Sequence, residues 1–167
     1  MPARGTGSDW TGDDRERPLD ELGWAQADGL ARLLARFDVA QIVSADVDRC
    51  TQTVAPLAEA LGLDVRPEPI LSEVGYPGRE DEAVALIRGL GAPDRDGVAC
   101  SLGDVIPDLL RRIAEHDHRE ERAPLIARKG SVWALTFSAG RLLETEYIAQ
   151  PDLSAERPVE MGVSVEA

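Results

Sequence analysis

Histidine is nearly absent from this chain: of its 167 residues, only His116 and His118 carry an imidazole. Cysteine is as scarce, and Cys50 and Cys100 lie far apart in the sequence and match no metal-ligand spacing, so they predict reduced thiols. No apolar run approaches the ~18 residues of a membrane-spanning helix, and the first residues lack the apolar stretch of a signal peptide. These absences predict a soluble, cytoplasmic protein with no membrane partner, no metal site and no cofactor.

Positively charged residues are also few compared with negatively charged ones. Lysine and arginine number 18 against 31 aspartates and glutamates, and the formal net charge of −13 excludes nucleic-acid binding as the default function. Lys129 is the only lysine, so arginine supplies the remaining positive charge. Coding bias is one explanation of that imbalance. The other is that some arginines grip phosphate or carboxylate, which a forked guanidinium does better than an ammonium group.

The sequence is rich in alternating helical and strand patterns. Asp20 is the predicted N-cap of a helix reaching Phe37, because apolar residues recur between them at 3.6-residue spacing. A short apolar run at 39–45 predicts a buried strand, and a second helix follows through Leu61, in which Pro56 predicts a kink or a restart. We further predict an extended segment at 63–69, helices at 79–90 and 104–115, a strand at 97–101, and a hairpin formed by 129–137 and 141–148.

This order of elements predicts one α/β domain over residues 1–150, a three-layer sandwich with a mostly parallel sheet flanked by helices and a C-terminal β-hairpin. Residues 151–167 are acidic and lack periodicity, which predicts a disordered tail. Ligands of open parallel sheets bind at the carboxyl ends of the strands, which selects the loops at 44–49 and 101–104. Both loops lead into helix N-termini, where free amide groups favour an anion, so we hypothesise a phosphate site.

Several short runs carry a resemblance to a known family. They are Trp10-Thr11-Gly12-Asp13-Asp14, Arg17-Pro18-Leu19-Asp20-Glu21-Leu22-Gly23, Arg49-Cys50-Thr51-Gln52-Thr53, Leu71-Ser72-Glu73, Cys100-Ser101-x-Gly103 and Lys129-Gly130-Ser131-x-Trp133. In their order and spacing they resemble the histidine phosphatase (phosphoglycerate-mutase-like) superfamily over nearly all of residues 9–150. Within it, the chain looks most like the small phosphohistidine phosphatases and the C-terminal domain of two-domain MutT-type Nudix hydrolases.

The resemblance implies a site for a phosphorylated small molecule or a phosphoprotein. In the family, an Arg-His-Gly motif at the end of the first strand supplies the attacking imidazole, and a second arginine, at the position of Arg49, grips the phosphate. In some members an acidic residue near the position of Glu73 protonates the leaving group. We add Ser101, Gly103 and Arg17 as candidate phosphate ligands, although Gly103 also suits a simple turn and Arg17 also suits a solvated rim position.

The chain departs from that pattern at the residues that carry the chemistry. It contains no Arg-His-Gly, and counting back from Trp10 puts the nucleophile at or just before Met1. Leu102 stands where the family has its second histidine, and His116 and His118 lie among charged residues that predict a solvated surface. The sequence therefore predicts no catalytic residue beyond the candidate acid Glu73, and a catalytically impaired domain with a residual anion pocket around Arg49.

Two alternatives stay open. An active phosphohydrolase is possible if an Arg-His-Gly strand lies upstream of Met1, because the missing strand belongs in the interior of the family's sheet and its loss leaves neighbouring strands with unpaired backbone groups. An accessory domain that partners a Nudix hydrolase is the other alternative, by analogy with the two-domain relatives.

Overall fold

The computed structural model describes residues 10–91, 94–119 and 124–150, so the predicted tail at 151–167 lies outside the described residues. The helices are α1 (Glu21–Leu34), α2 (Asp48–Leu61), α3 (Glu80–Leu90) and α4 (Val105–His116). The strands are β1 (Val39–Ser44), β2 (Val65–Pro67), β3 (Asp96–Cys100), β4 (Val132–Ser138) and β5 (Arg141–Ile148). Each of these elements falls within a residue or a few of its predicted position. None of the described helices is long and apolar enough to cross a membrane.

The first three strands form a parallel sheet in the order β2-β1-β3. Its central strand is buried on both faces, because Ile42 packs into one apolar cluster and its neighbour Val43 into the other. The Ile42 cluster includes Leu34 and Leu57 from α1 and α2. The Val43 cluster includes residues of α3, α4 and the chain between β2 and α3, together with Ala45, Val47, Cys50, Leu102 and Leu142. Helices on both faces of a parallel sheet confirm the predicted three-layer α/β sandwich.

Local signals set the helix boundaries. Asp20 caps α1 as predicted, since its Oδ1 accepts a hydrogen bond of 2.8 Å from the amide of Gly23. Pro56 lies inside α2, which is continuous from Asp48 to Leu61, so of the predicted kink or restart the restart is excluded. Proline removes one internal hydrogen bond from a helix. The burial of Val54 and Leu57 on either side holds α2 together across that gap.

The predicted hairpin is present as a separate antiparallel sheet of β4 and β5. It turns through Ala139 and Gly140, which both have positive φ, as a tight two-residue connection requires. Arg88 of α3 attaches the turn to the rest of the domain: Nη1 donates to the carbonyl of Gly140 at 2.6 Å and Nη2 lies 2.9 Å from Asp117 Oδ2. Asp117 Oδ2 also accepts a bond of 2.7 Å from the amide of Leu142.

Candidate functional site

A groove of about 2060 Å³ lies between the two sheets, lined by β3 and by β4. Apolar side chains of α1, α3 and α4 line it as well; they include Leu30, Leu34, Ile87, Leu90, Leu109 and Ile113. All five predicted site residues are among its lining: Arg17, Arg49, Glu73, Ser101 and Gly103. The structure therefore gathers onto one groove the residues that the sequence distributes over nearly ninety positions.

Arg49 occupies the first turn of α2, directly after the β1–α2 loop. Its side chain is 17% exposed, and its Nη2 lies 2.9 Å from Asp14 Oδ2. Its Nη1 donates a hydrogen bond of 2.7 Å to the backbone carbonyl of the same aspartate. Since one guanidinium holds two oxygen atoms of Asp14 at once, its fork is used in the way that suits an oxyanion.

Arg17 approaches the same carboxylate from the other oxygen. Its Nε lies 2.9 Å from Asp14 Oδ1, so the two predicted phosphate-binding arginines meet at a single acidic side chain. This contact is an ion pair without hydrogen-bond alignment, since the buried Nε atom makes no hydrogen bond among the described residues.

Asp14 is a site residue that the sequence reasoning missed. It lies in a short 3₁₀ turn, Asp14–Glu16, which Asp13 caps by accepting a hydrogen bond from the amide of Arg15. The signal was the run of two aspartates three residues before Arg17, a spacing that lets side chains meet across one turn. Its contact with Arg49 joins distant parts of the chain and has no local signature.

Further contacts hold the segment before α1 against the start of α2. Gln52 Oε1 accepts a hydrogen bond of 2.8 Å from the amide of Leu19. Arg15 forms an ion pair with Asp46 of the β1–α2 loop. Thr53 Oγ1 donates to the carbonyl of Arg49 at 2.6 Å, within α2 itself. These bonds fix the relative position of Arg17 and Arg49. Two arginines must be held in this way if both are to bind the same anion.

The loop between β3 and α4 directs more of its hydrogen-bonding groups toward other parts of the protein than toward a ligand. Ser101 donates its hydroxyl proton to the carbonyl of Leu71 at 2.6 Å, so that proton is directed to the backbone. Leu102, at the position of the family's second histidine, is 8% exposed and belongs to the Val43 cluster. The amides of Val105 and Ile106 donate to the carbonyl of Leu102 at 3.0 and 3.1 Å. Gly103 is exposed in this loop.

The two histidines lie at the other end of α4 from this loop. His116 is the last residue of that helix, and His118 follows two residues later with a positive φ. A 12-residue helix is about 18 Å long, which separates these imidazoles from the loop at 101–104. Both side chains are exposed, as predicted, and His116 Nε2 lies 3.6 Å from Asp81 Oδ1. Neither lines the groove.

The groove lining thus includes two arginines that contact the Asp14 carboxylate, an exposed carboxylate at Glu73, and no imidazole. Within the described ranges, no three His, Cys, Asp or Glu side chains are placed to hold a metal ion.

Comparison with known proteins agrees with this fold and these motifs. Residues 7–89 match the family model of the histidine phosphatase superfamily (branch 1). The chain is 40% identical over 152 residues to the 8-oxo-(d)GTP phosphatase of Mycolicibacterium smegmatis, a match that covers 89% of this chain and 46% of that protein. The chain therefore spans less than half the length of that relative.

Solved structures show the same architecture. The protein histidine phosphatase SixA complexed with tungstate superposes with a TM-score of 0.67 at 16% identity, over 92% of this chain and 96% of that chain. SixA from Agrobacterium tumefaciens gives a TM-score of 0.59 at 21% identity, over 82% and 90%. At such identities the likeness concerns the fold alone. The matched family model and the 40% identical relative lead to the conclusion that the chain belongs to the histidine phosphatase superfamily.

Proposed function

We propose that this domain binds the phosphate group of a phosphorylated ligand between Arg49 and Arg17, and that its own residues do not supply the nucleophile for phosphoryl transfer. The observation that carries the proposal is the bridging carboxylate of Asp14, which lies 2.9 Å from a guanidinium nitrogen of each arginine. A position that holds one oxyanion between two forked cations suits a phosphate, which has more charge and more acceptor oxygens than a carboxylate.

Impaired catalysis follows from the placement of the imidazoles. Phosphoryl transfer through a phosphohistidine needs a ring nitrogen within reach of the phosphorus atom, and the histidines of the chain lie at the far end of α4 (His116) and just beyond it (His118). Two arginines alone neutralise the equatorial oxygens and hold the ligand in place. The domain therefore binds phosphate esters and turns them over at most slowly.

Titration with inorganic phosphate, followed by isothermal calorimetry, tests the binding site. Arg49→Ala removes two charge-assisted contacts, and we expect it to weaken binding by about tenfold or more. Arg66→Ala is the matched control, because Arg66 forms an exposed ion pair with Glu68 and does not line the groove. Equal affinities for the parent protein and Arg49→Ala refute the proposed pocket.

Hydrolysis of p-nitrophenyl phosphate tests the impairment. We expect turnover close to the uncatalysed rate for the parent chain. Clear turnover that survives Arg49→Ala places the chemistry at another site, and clear turnover that Arg49→Ala abolishes shows that the pocket is catalytic after all. Either result overturns the proposed impairment.

An active phosphohydrolase is the second candidate, and the groove between β3 and β4 favours it. The groove is bordered by two strands and covered by apolar side chains from three helices, which is the environment of an interior strand. An extended segment that carries Arg-His and pairs there brings an imidazole to the end of the groove where Arg49 lies. The test is to express the chain with any residues encoded in frame ahead of Met1 and to repeat the hydrolysis assay. An alanine substitution of any histidine so added must abolish the turnover gained.

The ligand class is proposed from the relative. Because the M. smegmatis relative is named as an 8-oxo-(d)GTP phosphatase, we propose nucleoside phosphates with an 8-oxoguanine base as the first ligands to test. Calorimetry with 8-oxo-dGTP, dGTP and inorganic phosphate separates base recognition from phosphate recognition. Equal affinity for all three limits the site to recognition of the phosphate.

An accessory role beside a Nudix hydrolase is tested by co-expression with any Nudix protein encoded next to this chain. Failure of the two proteins to co-purify refutes that role.

A further inference from the structure

Two cysteines that are distant in the sequence meet beside the anion pocket. Cys50 is in the first turn of α2, next to Arg49, and is 3% exposed. Cys100 is the last residue of β3, and its carbonyl accepts a hydrogen bond of 2.8 Å from the amide of Ala45 in the β1–α2 loop. That bond brings the end of β3 against the segment that leads into α2. Both thiols are free, and Cys100 packs against the apolar cluster to which Cys50 belongs.

The two thiols differ in acidity. The hydrogen bond from Cys100 lowers the pKa of the Cys50 thiol; burial opposes this shift and the charge of Arg49 adds to it. The same hydrogen bond, together with burial, raises the pKa of Cys100 well above its ordinary value. Cys50 is thus the thiol that ionises and Cys100 the thiol that keeps its proton, which is the division of labour between an attacking and a resolving cysteine.

The groove gives small oxidants a route to this pair, because Cys50 and Cys100 are both part of its lining. Burial from bulk solvent then restricts the reaction to small reagents and disfavours bridging between two chains. Both side chains pack at the same apolar cluster, and the positions of both residues at element ends leave the backbone some freedom to bring the sulfur atoms to bonding distance.

We propose that Cys50 and Cys100 form an oxidation site, at which a peroxide converts the two thiols into an intrachain disulfide. The Cys50 thiolate attacks a peroxide oxygen, the O–O bond breaks, and Cys50 becomes a sulfenic acid while hydroxide leaves. The Cys100 sulfur then attacks Cys50 Sγ, the S–O bond breaks and water leaves. Overall, two thiols and one hydrogen peroxide give one disulfide and two waters, with the sulfur atoms oxidised and the peroxide oxygens reduced.

The disulfide joins the first turn of α2 to the end of β3, one residue from Arg49. It therefore crosslinks two of the segments that border the anion pocket. The proposal does not depend on phosphate binding, since the thiols are assayed without any phosphorylated ligand.

The experiment treats the reduced chain with hydrogen peroxide at low protein concentration. We expect Ellman titration in denaturant to fall from two thiols per chain to none, and the intact mass to fall by that of two hydrogen atoms. Tryptic mapping should give one crosslinked pair of peptides that contain Cys50 and Cys100, and dithiothreitol should restore both thiols. Persistence of both thiols, or a disulfide that joins two chains, overturns the proposal.

Single-cysteine variants test the roles of the two thiols. In Cys100→Ser, Cys50 should form a sulfenic acid that dimedone traps, about tenfold faster than dimedone labels Cys100 in Cys50→Ser, because the thiolate is the reacting form. Equal labelling rates refute the assigned order of attack. Circular dichroism of each variant establishes that it is folded, and the peroxide experiment on the unsubstituted chain decides the proposal independently of them.

Discussion

Asp14 places its carboxylate 2.9 Å from the guanidinium of Arg49, across 35 positions of the sequence. The same carboxylate also meets Arg17, so the candidate anion pocket holds an anion that belongs to the protein itself. Any phosphate that enters must displace this carboxylate or share the arginines with it. Asp14 is therefore an internal competitor as well as the residue that keeps the two arginines together.

The first prediction concerns this competition. Asp14→Asn removes the negative charge and keeps the side-chain shape, so we expect inorganic phosphate to bind severalfold more tightly in calorimetry. Asp38→Asn is the control, since Asp38 pairs with Arg95 in an exposed ion pair outside the groove. Weaker phosphate binding by Asp14→Asn contradicts competition and makes Asp14 a positioning residue only.

The second prediction concerns the position of the family's second histidine. Leu102→His buries an imidazole in the Val43 cluster, so we expect the free energy of unfolding in urea to fall by about 2–3 kcal/mol, with no gain in phosphatase activity. Leu102→Met keeps the position apolar and should lower the same quantity by less than about 1.5 kcal/mol. A stable Leu102→His variant that hydrolyses p-nitrophenyl phosphate contradicts this expectation.

The third prediction concerns the loop that carries Glu73. A Cβ atom on Gly75 meets the carbonyl oxygen of Pro69 at 2.0 Å, so Gly75→Ala should displace this loop and lower the thermal midpoint by several degrees. Gly89→Ala is the matched change, because Gly89 lies inside α3 with nothing within 4 Å of the added carbon. Alanine is the better helix former by roughly 1 kcal/mol, so this variant should raise the midpoint. Equal shifts of the two midpoints contradict the close approach at Gly75.

The fourth prediction concerns acid stability. Burial acts to raise the pKa of Asp108, but hydrogen bonds from Arg112, Tyr76 and Arg111 outweigh it and lower that pKa to about 2. A depressed pKa in the folded state contributes stability that is fully present above the unfolded value of 3.8 and is lost as the pH falls toward 2. The Asp108 side chain is 33% exposed, and solvent screens the effect to a modest size.

Urea unfolding of the parent protein and of Asp108→Asn checks the acid prediction. The difference in their free energies of unfolding should be largest near neutral pH and should shrink between about pH 4 and pH 2. Glu115→Gln is a control on the same helix, because Glu115 pairs with Arg111 in an exposed i, i+4 contact. A difference that stays constant with pH contradicts the assigned ionisation.

Sequence patterns are sufficient for the helices and strands because their determinants are local. The cap at Asp20, the 3.6-residue period of α1 and the apolar run of β1 are each readable within a few residues. The carboxyl-end rule for parallel strands then predicts that Arg49 and Ser101 lie at one edge of the sheet, and both residues line the groove.

The contacts within the site are not local, and for that reason the sequence did not reveal them. Asp14 reaches Arg49, and Cys100 packs against the cluster that contains Cys50, only after the sheet and helices have assembled. Ser101 lines the groove, yet its hydroxyl donates to the carbonyl of Leu71, a partner that no spacing rule indicates. Pro56 shows the reverse case, in which tertiary packing preserves a helix that local propensity predicts to break.

The groove between β3 and β4 has a consequence for how the chain behaves in solution. β3 pairs with β1 along one side and β4 with β5, so one strand of each sheet borders the groove. Edge strands whose backbone groups are accessible are templates for pairing with another chain, especially where the surrounding surface is apolar. The strong net negative charge opposes such edge-to-edge association by mutual repulsion, and added salt weakens that protection.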